Sequence, residues 1–193
     1  MAQTVRQAWV ALRVLLVMTV LVGIVYPVAV LAVGRLVPSS ADGSFVTDAS
    51  GTVVGSRLVG QAFDGPQWFW PRPSAAGDGY DALASGGSNL AADNPTLVDA
   101  VAQRQAAAAA ADSVSPAQVP PDAVTASGSG LDPDISPEYA LQQVTRVAAA
   151  RGLDVATVES LVADHTQGRA LGFVGEPRVN VLELNLALSQ LTP

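Results

Sequence analysis

The chain has 193 residues, 10 Lys+Arg against 17 Asp+Glu and no cysteine, for a formal net charge of −7. So acidic a balance argues against binding nucleic acid or an anionic membrane surface. The missing cysteine rules out disulfides, thiolate metal sites and a cysteine nucleophile. Lysine is absent too, so no Schiff base forms here and no lysine holds a phosphate.

The chain opens on an apolar stretch, Val14 to Gly34, with no Asp, Glu, Lys or Arg. As a helix rising about 1.5 Å per residue it reaches roughly 30 Å, the thickness of a bilayer's hydrocarbon core. Arg6 and Arg13 precede it and Arg35 follows. That bias predicts a cytoplasmic N-terminus and an extracytoplasmic remainder. We read residues 1–7 as the cytoplasmic N-terminus, 8–36 as a transmembrane helix, 37–51 as a linker and 52–193 as an extracytoplasmic domain. A signal peptide competes, because Ala32-Val33-Gly34 is a small-x-small triplet, but its apolar core would be shorter. Pro27 should kink the helix, and Gly23 offers a close-approach point for a partner helix; both residues are also compatible with an incidental role.

Beyond the linker, Thr52 to Phe63 reads as one or two short strands broken by glycines. Trp68-Phe69-Trp70-Pro71-Arg72-Pro73-Ser74 follows, with Arg72 held between two prolines. Trp68 and Trp70 suit either a core or an interface. Ser85-Gly86-Gly87-Ser88-Asn89 is a polar glycine loop without the lysine or spacing of a P-loop, so a turn explains it. Asn94-Pro95 is a helix start, cap then first-turn proline. That helix runs into Ala106–Ala111, a run that says little about packing.

The run Ala123 to Ser136 reads as a short strand and then a turn-rich loop, which includes Ser127-Gly128-Ser129-Gly130 and Asp132-Pro133-Asp134. Backbone amides of the SGSG loop offer a cradle for an anion, though a sharp turn predicts the same glycines. Ser136-Pro137-Glu138 starts a second helix that Gly152 ends. Asp154 caps a third, with His165 on its apolar face and Gly168 closing it. Leu171 to Glu176 is a short strand or turn. Asn180 with Glu183 resembles a capping box, which favours a last helix through Leu191. The fold class is therefore α+β: one N-terminal transmembrane helix, then one small mixed domain. No metal-ligand cluster and no catalytic triad can be drawn, so catalytic and metal residues are none. Arg72 should pair with the proline-fixed acid Asp132 in a partly buried clamp that shapes the glycine-rich loop. On residues alone, an anchored non-enzymatic module that works with a membrane partner competes with an anchored cell-envelope enzyme or a solute-binding module.

Taken in order, several motifs resemble one family. They are Tyr26-Pro27 in the span, Gly55-Ser56, Gly60-Gln61, Trp70-Pro71-Arg72-Pro73-Ser74 and Ser85-Gly86-Gly87-Ser88-Asn89-Leu90. The run Val124 to Ser136, ending SGSGLDPDIS, and Gly175 to Asn185, reading GEPRVNVLELN, are the most specific. The pattern is similar to the KdpC subunit of the high-affinity ATP-driven potassium uptake complex, over nearly the whole chain. Ala91-Ala92-Asp93 departs from it locally.

The resemblance implies an accessory, non-catalytic subunit in the cell membrane. Its partners would be a channel-like potassium-binding subunit, a P-type ATPase subunit and a small single-span subunit. Potassium would be the transported ion, and no cofactor would be firmly bound. It also implies a chaperone role that raises the ATPase subunit's affinity for ATP. The nucleotide contacts would be Ser127, Gly128, Ser129, Gly130 and Gln143. An extracytoplasmic domain cannot reach a cytoplasmic nucleotide site, and the alternative is a cap or gate over the potassium entrance. Structural or interface roles are expected of Gly23, Pro27, Trp68, Trp70, Arg72, Asn89, Asp132, Asn180 and Asn185.

Overall fold

The computed structural model describes residues 2–192. The chain divides into two compact units, Met1–Ser44 and Phe45–Pro193.

The first unit is built on a continuous helix, Ala2–Gly34, long and apolar enough to cross a membrane. It consists of α1 (Ala2–Val20), a π-helical turn (Leu21–Val25) and α2 (Tyr26–Gly34). The π-turn lies directly before Pro27, whose ring cannot sit against the carbonyl four residues back and whose nitrogen has no hydrogen to donate. A helix that widens by one residue at this point relieves the clash. A short helix, α3 (Pro38–Ala41), follows.

The second unit starts with an antiparallel pair, β1 (Phe45–Thr47) and β2 (Val53–Ser56), in register Phe45↔Ser56 and Val46↔Gly55. Strand β1 thus falls within the stretch read as linker. Only Val53–Ser56 of the expected Thr52–Phe63 strand region is extended in a sheet. Next come α4 (Pro95–Asp112), β3 (Asp134–Ile135), α5 (Pro137–Arg151), α6 (Val155–Asp164), β4 (Thr166–Gln167), β5 (Arg178–Asn180) and α7 (Val181–Ser189). Strand β5 is central in a three-stranded antiparallel sheet, β3-β5-β4, with Ile135↔Val179 and Thr166↔Val179 in register.

The helix starts follow from side-chain caps. Asn94 accepts from Thr96 N–H, Ser136 from Tyr139 N–H and Asn180 from Glu183 N–H. Each such cap is worth about 1 kcal/mol. Gly152 ends α5 in the left-handed conformation, φ 67°. Two expectations fail here. The run from Ala123 does not open on a strand: Pro120-Pro121 fixes the backbone, Pro121–Ala123 is a 3₁₀ turn, and the short strand, β3, comes at the end of the run. Helix α6 stops at Asp164 rather than near Gly168. His165 caps it, its Nδ1 2.9 Å from the Leu161 carbonyl, and pairing of β4 with β5 takes the chain away.

The core gathers Phe69, Ile135, Tyr139, Val144, Val147, Val158, Val162, Val179, Leu184 and Leu188. Burial of each large aliphatic or aromatic side chain contributes roughly 1.5–3 kcal/mol. On α5 the buried positions Tyr139, Ala140, Gln143, Val144, Val147 and Ala148 form one helical stripe. Helix α4 joins through its alanine run, where Ala108 and Ala109 are buried. The small side chains let α4 lie close, so the run carries packing information after all.

Candidate functional site

Two linked clusters bring the distant motifs of the second unit together. The first is a hub of loops around Arg72, Ser74 and Gly130. Ser74 Oγ donates to the Gly130 carbonyl at 2.6 Å and accepts from the Ala76 and Tyr80 amides. Gly86 N–H and Ser85 Oγ both donate to the Ser129 carbonyl. Gly60 N–H donates to the Leu131 carbonyl at 2.8 Å. Two glycines of the hub meet backbone so closely that they admit no side chain. A Cβ on Gly60 would lie 2.5 Å from the Asp132 carbonyl oxygen, and one on Gly130, at φ +67°, would lie 2.6 Å from the Ala76 nitrogen. Asn89, at the end of the SGGSN loop, takes a left-handed φ of 52°.

Arg72 and Asp132 form the expected pair, Nη1 to Oδ2 at 2.9 Å, with the side chains 25% and 30% exposed. Arg72 also donates to the Thr125 carbonyl, and its own carbonyl accepts from the Tyr80 hydroxyl. Loss of hydration, with the Asp132 charge adding to it, pushes the Tyr80 phenol far above its ordinary pKa, so it stays a donor. Asp134 lies beside Arg178, Nε to Oδ2 at 3.1 Å, and accepts from Asn180 Nδ2. Burial raises its pKa in spite of the opposing pull of Asn180 and Arg178. Asn180 also donates to the Arg57 carbonyl.

The second cluster holds residues 65–71, which have no strand to pair with. Side-chain amides take that place. Asn185 accepts from Phe69 N–H and donates to the Phe69 carbonyl, both at 2.9 Å. Gln143 does the same for Trp70, at 2.7 and 3.1 Å. Arg146 donates to the Pro66 and Trp68 carbonyls and stacks 3.8 Å from the centre of the Trp70 ring. Its Nε meets Asp112 Oδ1 at 2.8 Å, with the side chains 7% and 0% exposed. Arg151 sits over Trp68 at 4.5 Å and donates to the Gln67 carbonyl. Trp68 and Trp70 are half-buried edges of this cluster, and Trp70 Nε1 donates to the Gly65 carbonyl. Arg146 belongs to a motif of the resemblance, Arg146-Val147-Ala148, but carries no expected site role, and Asp112 and Arg151 carry none either. Asp112 closes the alanine run, and alanines before it give no sign in the sequence that this face is buried.

The nucleotide contacts implied by the resemblance fit poorly. Gln143 is fully buried, and its amide is occupied by Trp70 and by Arg146 Nη2 at 2.6 Å. In the SGSG loop, Gly130 N–H is bonded to the Ser127 carbonyl and Leu131 N–H to Ser129 Oγ. Ser127 is buried, its Oγ 3.4 Å from that of Ser129. Gly128 faces open space, but the nearby cation, Arg72, is held by Asp132. The adjoining groove, about 460 Å³, is lined by Asp122, Asp132, Asp134, Glu138 and Glu176 against Arg72 and Arg178. That balance repels a triphosphate. No group of three metal-ligating side chains occurs among the described residues.

One further feature stands out on the second unit. Residues 168–177 form a hairpin finger after β4. Ala170 and Val174 bridge its neck, and Arg169 pairs with Glu176 at 2.5 Å. At its tip Leu171 is 86% and Phe173 74% exposed, with Leu171 at φ 54°. A leucine held in a left-handed conformation to face solvent is unfavourable on both counts. Sequence reading took this stretch for a strand or turn; Gly172 and Gly175 around two bulky apolar residues were the signal.

These features define a protein with one candidate membrane span and a small α+β domain whose motif loops are tied into a self-bonded hub. The family described as "KdpC: K+-transporting ATPase, c chain" matches residues 8–190, and the chain belongs to this family. It is 63% identical over 188 residues to the potassium-transporting ATPase KdpC subunit of Kineococcus radiotolerans, covering 97% of this chain and 95% of that protein. It is 51% identical to that of Beijerinckia indica, covering 100% and 96%, and 52% identical to that of Mycobacterium tuberculosis, covering 96% and 99%.

Proposed function

We propose that this chain is an accessory, non-catalytic subunit of a potassium-transporting ATPase, held in the cell membrane by Ala2–Gly34. Its N-terminus lies in the cytoplasm and its α+β domain outside. The domain docks on the membrane-embedded, channel-like potassium-binding subunit, close to the ion's entrance, and so holds that subunit and the P-type ATPase subunit together. The observation that carries this reading is the finger. Its neck is closed by an ion pair and a bridge, and it presents Leu171 and Phe173 to solvent. Two exposed apolar side chains at the tip of a hairpin, in an otherwise acidic domain, suit a protein partner.

An ATP-affinity role has only the resemblance behind it, since Gln143 and the SGSG loop are already bonded within the domain. One experiment tests both readings. The complex is purified with and without this chain, and potassium-stimulated ATP hydrolysis is followed across ATP concentrations. The docking reading expects a loss of intact complex and of maximal rate with an unchanged half-saturating ATP concentration. A rise in that concentration alone, in an otherwise intact complex, would support the chaperone role and contradict ours.

A further inference from the structure

The long helix changes hydrogen-bond register at Leu21–Val25, where Tyr26 N–H donates to the Leu21 carbonyl, five residues back. In an α-helix that N–H would serve the Val22 carbonyl. In the π-register the donor to Val22 would be residue 27, and residue 27 is proline, which has no N–H. The Val22 carbonyl therefore has no backbone donor in either register. It lies near the midpoint of the apolar stretch Val14–Gly34. In hydrocarbon no water is at hand, and a bare carbonyl is costly. The helix supplies no ready substitute: Thr19 Oγ1 is committed to the Leu15 carbonyl at 2.8 Å. Next to the freed acceptor is Gly23, where an added Cβ would meet nothing within 4 Å. An open notch and an unmatched acceptor thus share one step of the helix.

We infer that the Val22–Gly23 step receives a hydroxyl or carboxamide donor from a transmembrane helix of a partner subunit. This rests on the subunit reading above. The partner helix crosses at the Gly23 notch, where the backbones come close enough for a serine, threonine, asparagine or glutamine side chain to reach the Val22 carbonyl. Such interhelical bonds are a recognised means of re-satisfying backbone groups freed by proline. The π-turn and Pro27 then act together: one diverts the natural donor and the other removes the substitute.

The test uses the full-length chain co-expressed with the other subunits, one of them tagged. Pro27→Ala returns an N–H that can fill the acceptor from within the helix. It should lower retention of the chain on the tagged subunit roughly fivefold, with unchanged membrane insertion. Gly23→Leu, which fills the notch, should lower it at least as much. Because Pro27→Ala also alters helix shape, the Val22 carbonyl is isotope-labelled and its infrared band compared in the complex and in the chain alone, in the same bilayer. The band should move to lower frequency in the complex. Wild-type retention by Pro27→Ala, or a Val22 band at one frequency in both samples, would overturn the proposal. Failure of the unaltered chain to be retained would overturn the subunit reading, and this proposal with it.

Discussion

Arg72–Asp132 and Arg146–Asp112 are the same chemical pair in two settings. The first is about a quarter exposed on each side and ties loops to one another. The second is nearly sealed, and it links α4, α5 and the segment around Trp68. Arg146 also serves two backbone carbonyls, Gln143 and the Trp70 ring. A charge so buried is tolerated because all three guanidinium nitrogens donate to protein acceptors; removal of either member leaves the other uncompensated in a dry setting. Near the surface, water replaces much of what is lost. The difference teaches that the hub is shaped by many local bonds, whereas the tryptophan segment depends on a few buried side chains.

The comparison can be broken most severely at the buried pair. Asp112→Ala or Arg146→Ala should destabilise the second unit by about 3–5 kcal/mol, read by chemical denaturation. A loss near that of Arg72→Ala would show that burial is not what separates the two pairs. Asn185→Leu should come next. It strips Phe69 N–H and C=O of their partner, and each unsatisfied buried group costs about 1–3 kcal/mol. Hydrogen exchange at Phe69 should rise in parallel. Arg72→Ala and Asp132→Ala should each cost about 1 kcal/mol or less, and the double variant should lose less than the sum of the two. Strict additivity would mean that the pair does not couple.

The smallest effect is a pH dependence. Burial holds the Asp134 carboxyl above its usual range. Between its unfolded and folded pKa values the folded chain binds more protons, so stability gained from this group rises as pH falls through that window. At neutral pH the ionised carboxylate is held at a cost. Asp134→Asn should flatten this part of the stability–pH curve. A slope unchanged by the substitution would place its origin elsewhere.

Local chemistry made the helix starts readable. Asn94-Pro95, Ser136-Pro137 and Asn180 announce themselves because a cap is a bond between near neighbours. The Arg72–Asp132 pair was readable because prolines stand on both sides of Arg72 and directly after Asp132. Strand β5 was not, because three residues become a strand only through pairing with β3 and β4, which come from distant parts of the chain. A structural or interface role is expected of Asn185 and a nucleotide contact of Gln143, but their partners are hidden for the same reason: each bonds a backbone segment more than seventy positions away. Asp112 was masked by the alanines before it. The finger reads as a short strand or turn, but its exposure is a property of the folded surface and not of local sequence.

The central claim is that the second unit docks through the finger while its motif loops keep the unit in shape. It is tested most directly by Leu171→Ser/Phe173→Ser in the full-length chain, co-expressed with the other subunits of the transporter. Retention on a tagged partner subunit should fall by roughly tenfold or more, as expected when two apolar anchors are lost. The thermal midpoint of the chain should be unchanged, because both side chains are already exposed. Undiminished retention, or a loss of retention that merely follows a loss of folding, would contradict it.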